Sequence, residues 1–193
     1  MGANGLIVSH YAISGPGPEE GKTMFPDRVA GHEGSHFDEC LNYDKLTPQQ
    51  QANIKCKEVK TITIDRYLKK HIDRRDTKKG RRIPFLSIDI EGYDFSGMKA
   101  GRKTLQRTDY LEFEYHVAGD WGKQKLEDAV NMLKGHGFVC YWAGVNKLWR
   151  ITDCWMDRFE HHGWSNVACV NPKYQPALAR KMEDVFTDTL AGY

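Results

Sequence analysis

Apolar and polar positions alternate most clearly after Ile83. Leu86, Ile88 and Ile90 fall on one side of an extended chain, and Ser87, Asp89 and Glu91 on the other. The run is rich in branched residues and stops at Gly92, which predicts a buried strand of a mainly parallel sheet. Tyr110 to His116 predicts a second buried strand. Further strands are predicted at Leu6 to Ile13, Gly137 to Trp142, Lys147 to Thr152 and Asn166 to Val170. Helical spacing relates Ile64, Tyr67, Leu68 and Ile72. It is weaker for Phe95, Met98 and Leu105, and clean for Leu126, Ala129, Val130 and Leu133, where Gly135 or Gly137 ends the helix. A closing helix is predicted from Pro176 to Leu190. Residues 15–60 read as glycine-rich and polar, with one short helix at Thr47 to Gln50. Strands alternating with helices of about ten or more residues imply βαβ units in one domain spanning 1–193.

Two carboxylates on one side of a buried strand's outgoing end are costly unless they have a task. In open α/β sheets the ligand crevice lies beyond the carboxyl ends of the strands. Asp89 and Glu91 are therefore the leading candidates for a ligand-facing role. On the next strand Glu112, Glu114 and His116 share a face, and Glu114 and His116 are expected to reach the same crevice. Such a set can accept a proton or hold a divalent metal that acidifies a bound hydroxyl, and spacing alone does not separate the two.

Composition narrows the field. The chain has 193 residues with a net charge of +2, which does not suggest a nucleic-acid partner. No apolar run approaches the roughly 18 residues that span a bilayer, and Met1 to Ser9 lack the pattern of a secretory signal. The five cysteines are spread without a CxxC pair, which favours free thiols in a reducing, cytoplasmic setting. Pairing among Cys140, Cys154 and Cys169 is the alternative in an oxidising one.

Three other motifs compete. His32, Glu33 and His36 match the HExxH pattern of zinc hydrolases, but Gly31 and Gly34 disfavour the helix that chemistry needs. Gly21-Lys22-Thr23 imitates part of a P-loop, yet Pro16 stands where glycine is required, so a turn without phosphate is expected. The basic run from Lys69 to Arg82 is diluted by Asp73 and Asp76 and reads as solvated. All five tryptophans follow residue 120; Trp142 and Trp164 are expected in the core, while others near the crevice could form a substrate wall.

Thr63-Ile64-Asp65-Arg66-Tyr67-Leu68, Phe85 to Asp94, Phe113-Glu114-Tyr115, Gly137-Phe138 and Trp164-Ser165-Asn166-Val167 together resemble the FkbM-type methyltransferases. The likeness runs over about 12–171, leaving 172–193 as the closing helix. It implies a Rossmann-like, class I methyltransferase-type, mostly parallel sheet with flanking helices. It also implies S-adenosylmethionine as cofactor and a small-molecule hydroxyl acceptor, a sugar or secondary metabolite. Catalytic roles then fall to Asp89, Glu91, Glu114 and His116. Cofactor contacts fall to Ser14 and Asp89, with Asp89 either orienting the cofactor's amino group or taking the hydroxyl proton. The family's Asp-x-Gly-Ala-x-x-Gly turn and the strand after it have no counterpart here. The expectation is an amino-terminally incomplete domain with its first two strands missing, weak or inactive alone, with an edge open to self-association. A non-catalytic fragment or interaction module is the competing reading. In the expected sheet the Leu6 to Ile13 strand either pairs directly with the Phe85 strand or detaches.

Overall fold

The computed structural model describes residues 8–27, 40, 43–53, 55–74 and 80–192. His32, Glu33 and His36 lie outside the described residues, as do Leu6 and Ile7 and part of the basic run. The described residues build two sheets. The smaller has three strands, β1 (Ala12–Ile13), β2 (Glu20–Pro26) and β3 (Cys56–Ile62), in the order β1-β3-β2. The larger has five: β4 (Leu86–Ile88), β5 (Tyr110–Tyr115), β6 (Val139–Gly144), β7 (Lys147–Arg150) and β8 (Ser165–Val170), in the order β4-β5-β8-β6-β7.

This corrects the expected mostly parallel Rossmann-like sheet. In the larger sheet only β4 and β5 run parallel; β5–β8, β8–β6 and β6–β7 are all antiparallel. The reason lies in the connections. Parallel neighbours need a crossover of a dozen or more residues, whereas β6 and β7 are joined by Val145 and Asn146 alone, a two-residue hairpin turn with Asn146 at φ 55°. Nor does the first strand join the larger sheet. Ala12 and Ile13 pair in parallel with Thr61 and Ile62 of β3. Gly21-Lys22-Thr23 is no turn: it sits inside β2, which forms an antiparallel ladder with β3 from Glu20↔Ile62 to Pro26↔Cys56.

The helices are α1 (Pro48–Asn53), α2 (Ile64–Tyr67), α3 (Asp94–Lys99), α4 (Arg102–Arg107), α5 (Leu126–Gly135) and α6 (Pro176–Ala191). α2 continues as a π-helical turn over Leu68–Ile72. The Thr-x-Asp start of α2 has a structural task. The Thr63 hydroxyl accepts the Arg66 amide at 3.3 Å and caps its own helix. Asp65 reaches across to accept the backbone amides of Lys103 and Thr104 at 3.0 and 2.8 Å, capping α4.

Both faces of the larger sheet are used. Ile88, Leu111, Phe113, Tyr115, Val167 and Cys169 pack against α3 and α5 through Phe95, Met98, Leu126, Ala129 and Leu133. On the other face α6 covers Tyr141, Ala168 and Val170 with Ala179 and Met182. α6 leaves the β4–β5 side of that face polar, where Ser87 donates to Glu112 at 3.2 Å. Trp121 is in the core, and Trp142 is partly buried against it. Trp164 is not: it is 66% exposed, because it precedes β8 at the rim of the sheet.

The cysteines are another correction. Cys40 is bonded to Cys56 and Cys140 to Cys169, leaving Cys154 exposed and free. Cys140 and Cys169 face each other directly in the β6–β8 ladder. That pair falls within the set Cys140, Cys154 and Cys169 given as the alternative for an oxidising setting, and the antiparallel ladder selects it. Four joined thiols argue against the reducing setting expected from their spacing. Among the described residues no helix is long and apolar enough to cross a membrane.

Candidate functional site

A cavity of about 600 Å3 opens where β4 ends and the small sheet begins. β1 and the residues on either side of it supply Tyr11, Ile13 and Ser14, and the β2–β3 ladder supplies Thr23, Phe25 and Thr61. From beyond β4 come Asp89, Ile90, Glu91 and Tyr93, with Ser96 from α3 and Asp120 from the loop after β5. Asp89 and Glu91, singled out by the strand pattern, and Ser14, assigned by the resemblance, all lie in its lining, and so does Ile90, which strand parity put on the opposite side.

The alternation itself ends at Ile88. The chain turns sharply beyond it, with Glu91 at φ 55° and Gly92 at φ 88°. Left-handed geometry is natural for glycine and costs a residue such as glutamate about 1 kcal/mol. The turn is held by a close crossing with the loop after β5. A methyl group on Gly92 would come 2.2 Å from the Ala118 carbonyl oxygen, and one on Gly119 would come 2.9 Å from the Glu91 carbonyl oxygen. Across this crossing the Gly92 carbonyl accepts the amides of Asp120 and Trp121 at 3.0 and 3.3 Å. The glycines thus bring Asp89 and Glu91 from one strand end to Asp120 from the next. Asp120 is fixed further by the Ser96 hydroxyl at 2.6 Å, which itself accepts from Gln124 at 3.2 Å.

Behind this wall lies Asp94, wholly buried at the start of α3. One carboxyl oxygen accepts the Gly92 amide at 3.2 Å, and the other has no partner among the described residues. Burial pushes its pKa up to about 7, with the nearby Asp89 charge adding in the same direction. Sequence pattern missed it, along with Ser96 and Asp120. The one available signal was a third acid at a helix start, which reads equally well as a favourable first-turn charge.

Glu114 and His116 are not among the residues lining the cavity. They form a neighbouring cluster with Trp164. The Trp164 indole stacks on the His116 ring at 4.4 Å and donates to Glu114 Oε1 at 2.6 Å. His116 is fully buried. Its Nδ1 accepts the Ala118 amide at 3.1 Å, so in the neutral ring Nε2 carries the proton. Nε2 lies 3.6 Å from Glu114 Oε2 and makes no hydrogen bond among the described residues. β5 and β8 are antiparallel with Tyr115 opposite Ser165, so this cluster sits at the same end of the sheet as Asp89. Among the described residues no group of three or more metal-ligating side chains comes together, in this cluster or elsewhere.

The cavity's charge is one-sided. Three carboxylates line it, and none of its described lining residues is a lysine or arginine. Ser14 adds a buried hydroxyl with no partner among the described residues, the kind of group a ligand satisfies. This set suits a cationic small molecule with apolar surface, such as a sulfonium bearing an ammonium group, and does not suit a phosphate. No curated protein and no solved structure matched the chain. The model of the methyltransferase FkbM domain matches residues 6–140, from before β1 into β6, so this chain belongs to the FkbM methyltransferase domain family.

Proposed function

We propose that this chain is an S-adenosylmethionine-dependent methyltransferase acting on a hydroxyl of a sugar or secondary metabolite, with the Ser14–Asp89 cavity as its site. The observation that carries the reading is the acidic, cation-free lining. Bound S-adenosylmethionine supplies an electrophilic methyl group on a positively charged sulfur. Asp89 would hold the cofactor's ammonium, and the Ser14 hydroxyl, which has no partner among the described residues, would hold a second polar group of its amino-acid end. Ile13, Phe25, Ile90 and Tyr93 provide apolar wall that excludes water. Glu91, held in its strained turn, takes the proton of the acceptor hydroxyl as its oxygen becomes the nucleophile.

The acceptor lies toward Trp164. That indole is exposed yet locked by His116 beneath it and Glu114 at its edge, a preformed platform for one face of a ring. Glu114 and His116 hold the platform and orient the acceptor.

Calorimetric titration of the whole chain with S-adenosylmethionine tests the reading. Saturable binding is expected, weakened at least about tenfold in Asp89→Asn through loss of one charge-assisted contact. Labelled-methyl transfer to a panel of sugars and phenols then identifies the acceptor. Absence of binding by the folded chain overturns the proposal in favour of a non-catalytic interaction module.

A further inference from the structure

The larger sheet has a second cavity, of about 820 Å3, beside β7 and lined by Trp142, Trp149, Arg158, Phe159, His161 and Leu190. It shares no lining residue with the Ser14–Asp89 cavity. The two belong to opposite edges of a five-stranded sheet, four strand spacings or about 19 Å apart.

Its walls are fixed before any ligand arrives. Trp142 and Trp149 are direct cross-strand partners, so both indoles project from the same face. The Trp149 ring lies over Gly144, where a methyl group would come 2.6 Å from Cζ3. Phe159 forms a buried floor 5.9 Å from the Trp142 ring. Arg158, Phe159 and His161 ride on a short 3-10 turn over Asp157–Glu160. That turn is anchored by Glu160, whose carboxylate accepts the Leu126 and Glu127 amides at the start of α5 at 3.2 and 3.1 Å and the Tyr115 hydroxyl at 2.9 Å. Glu160 is thus occupied elsewhere, and among the described residues no carboxylate lines the cavity.

The chemistry on offer is specific. Flat aromatic faces lie beside polar groups that are donors: indole N–H groups, the Arg158 guanidinium and the His161 imidazole. The complement is a ring with one apolar face, several acceptor oxygens and a negative charge. We propose that this cavity binds a saccharide ring carrying a carboxylate, as in a uronate residue of a glycan. The C–H face of the pyranose lies on the indoles, and Arg158 forks the planar carboxylate. A neutral sugar leaves the guanidinium unused. An aromatic acid lacks the hydroxyl oxygens for the remaining donors.

The test titrates the full chain with glucuronate, glucose and benzoate, following the tryptophan side-chain N–H resonances. Glucuronate is expected to shift Trp142 and Trp149 saturably, with a Kd of about 1 mM or tighter. Trp121, buried and bonded to the Glu114 carbonyl, stays unmoved. Arg158→Gln weakens binding about tenfold or more, and so does Trp149→Leu, with an unchanged Trp121 resonance confirming the fold. Equal affinity for glucose, preference for benzoate, wild-type affinity in Arg158→Gln, or no shift at Trp142 and Trp149 overturns the assignment.

Discussion

At the scale of single residues, the site works against the stability of its own fold, and two side chains make this measurable. Asp94 is buried with its pKa raised to about 7, so the folded state prefers the neutral acid. Its contribution is fully present below the ordinary carboxyl value of about 3.9 and is lost as pH rises through 7. A shift of that size corresponds to at most about 4 kcal/mol. Asp94→Asn keeps an acceptor for the Gly92 amide without the charge. Urea denaturation should therefore show the variant more stable than wild type at pH 8 and nearly equal to it at pH 4. Glu91 is the complementary case, a glutamate at φ 55°. Glu91→Gly should gain about 1 kcal/mol in stability by relieving that geometry. It should also lose about 100-fold or more in methyl transfer if Glu91 is the proton acceptor. A variant that keeps full turnover would assign the proton to another group. The pattern of two acids closing an apolar strand singled out Asp89 and Glu91 as candidates in the sequence. It could not show the strain, because alternation stops at Ile88 and the turn beyond is set by a loop from the next strand.

At the scale of elements, the decisive contact is the crossing of the loops after β4 and β5. Gly92→Ala places a methyl group 2.2 Å from the Ala118 carbonyl oxygen on a backbone with φ 88°. Both penalties act together, so a loss of about 3 kcal/mol is expected, with a fall in Tm of roughly 6–12 °C. S-adenosylmethionine affinity should fall too, since Asp89 and Asp120 lose their common anchor. Gly135→Ala is the control: beyond its own helix no described residue lies within 4 Å of the added methyl group, and the helix tolerates it. Equal Tm values for the two variants would show that the crossing is not what holds the site. The individual strands and helices of the larger sheet were legible because periodicity is local. Strand partners were not. β8 inserts between β5 and β6 although it comes last, a matter of connection length and packing rather than of any run of residues. β2 was missed for a different reason. Its Glu20-Gly21-Lys22 half is polar and exposed, held by the ladder to β3 and by pairs such as Lys22–Glu58 at 2.6 Å.

At the scale of the whole molecule, two covalent ties join parts that lie far apart in the chain. Cys40–Cys56 closes a loop of 16 residues at the start of β3, the strand that carries Thr61 to the cavity. Cys140–Cys169 closes one of 29 and lies in the core face of the larger sheet. Limiting the unfolded chain in this way is worth about 3 kcal/mol for loops of such length, slightly more for the longer. The two ties differ in access. Cys140 and Cys169 are wholly buried, whereas Cys56 is only partly so. A reductant acting on the folded chain should therefore open Cys40–Cys56 first, and should reach Cys140–Cys169 only as the sheet unfolds. Thiol labelling checks this in stages. The native chain should label at Cys154 alone. Mild reductant should expose two further thiols with the α5 and sheet signals retained, and the last two should appear together with loss of structure. The same chain made under reducing conditions should label at Cys154, Cys40 and Cys56 while folded and should melt at a lower temperature. Labelling of all five cysteines in a native chain of undiminished stability would mean that the thiols are free, and would restore the reducing setting that their spacing suggested.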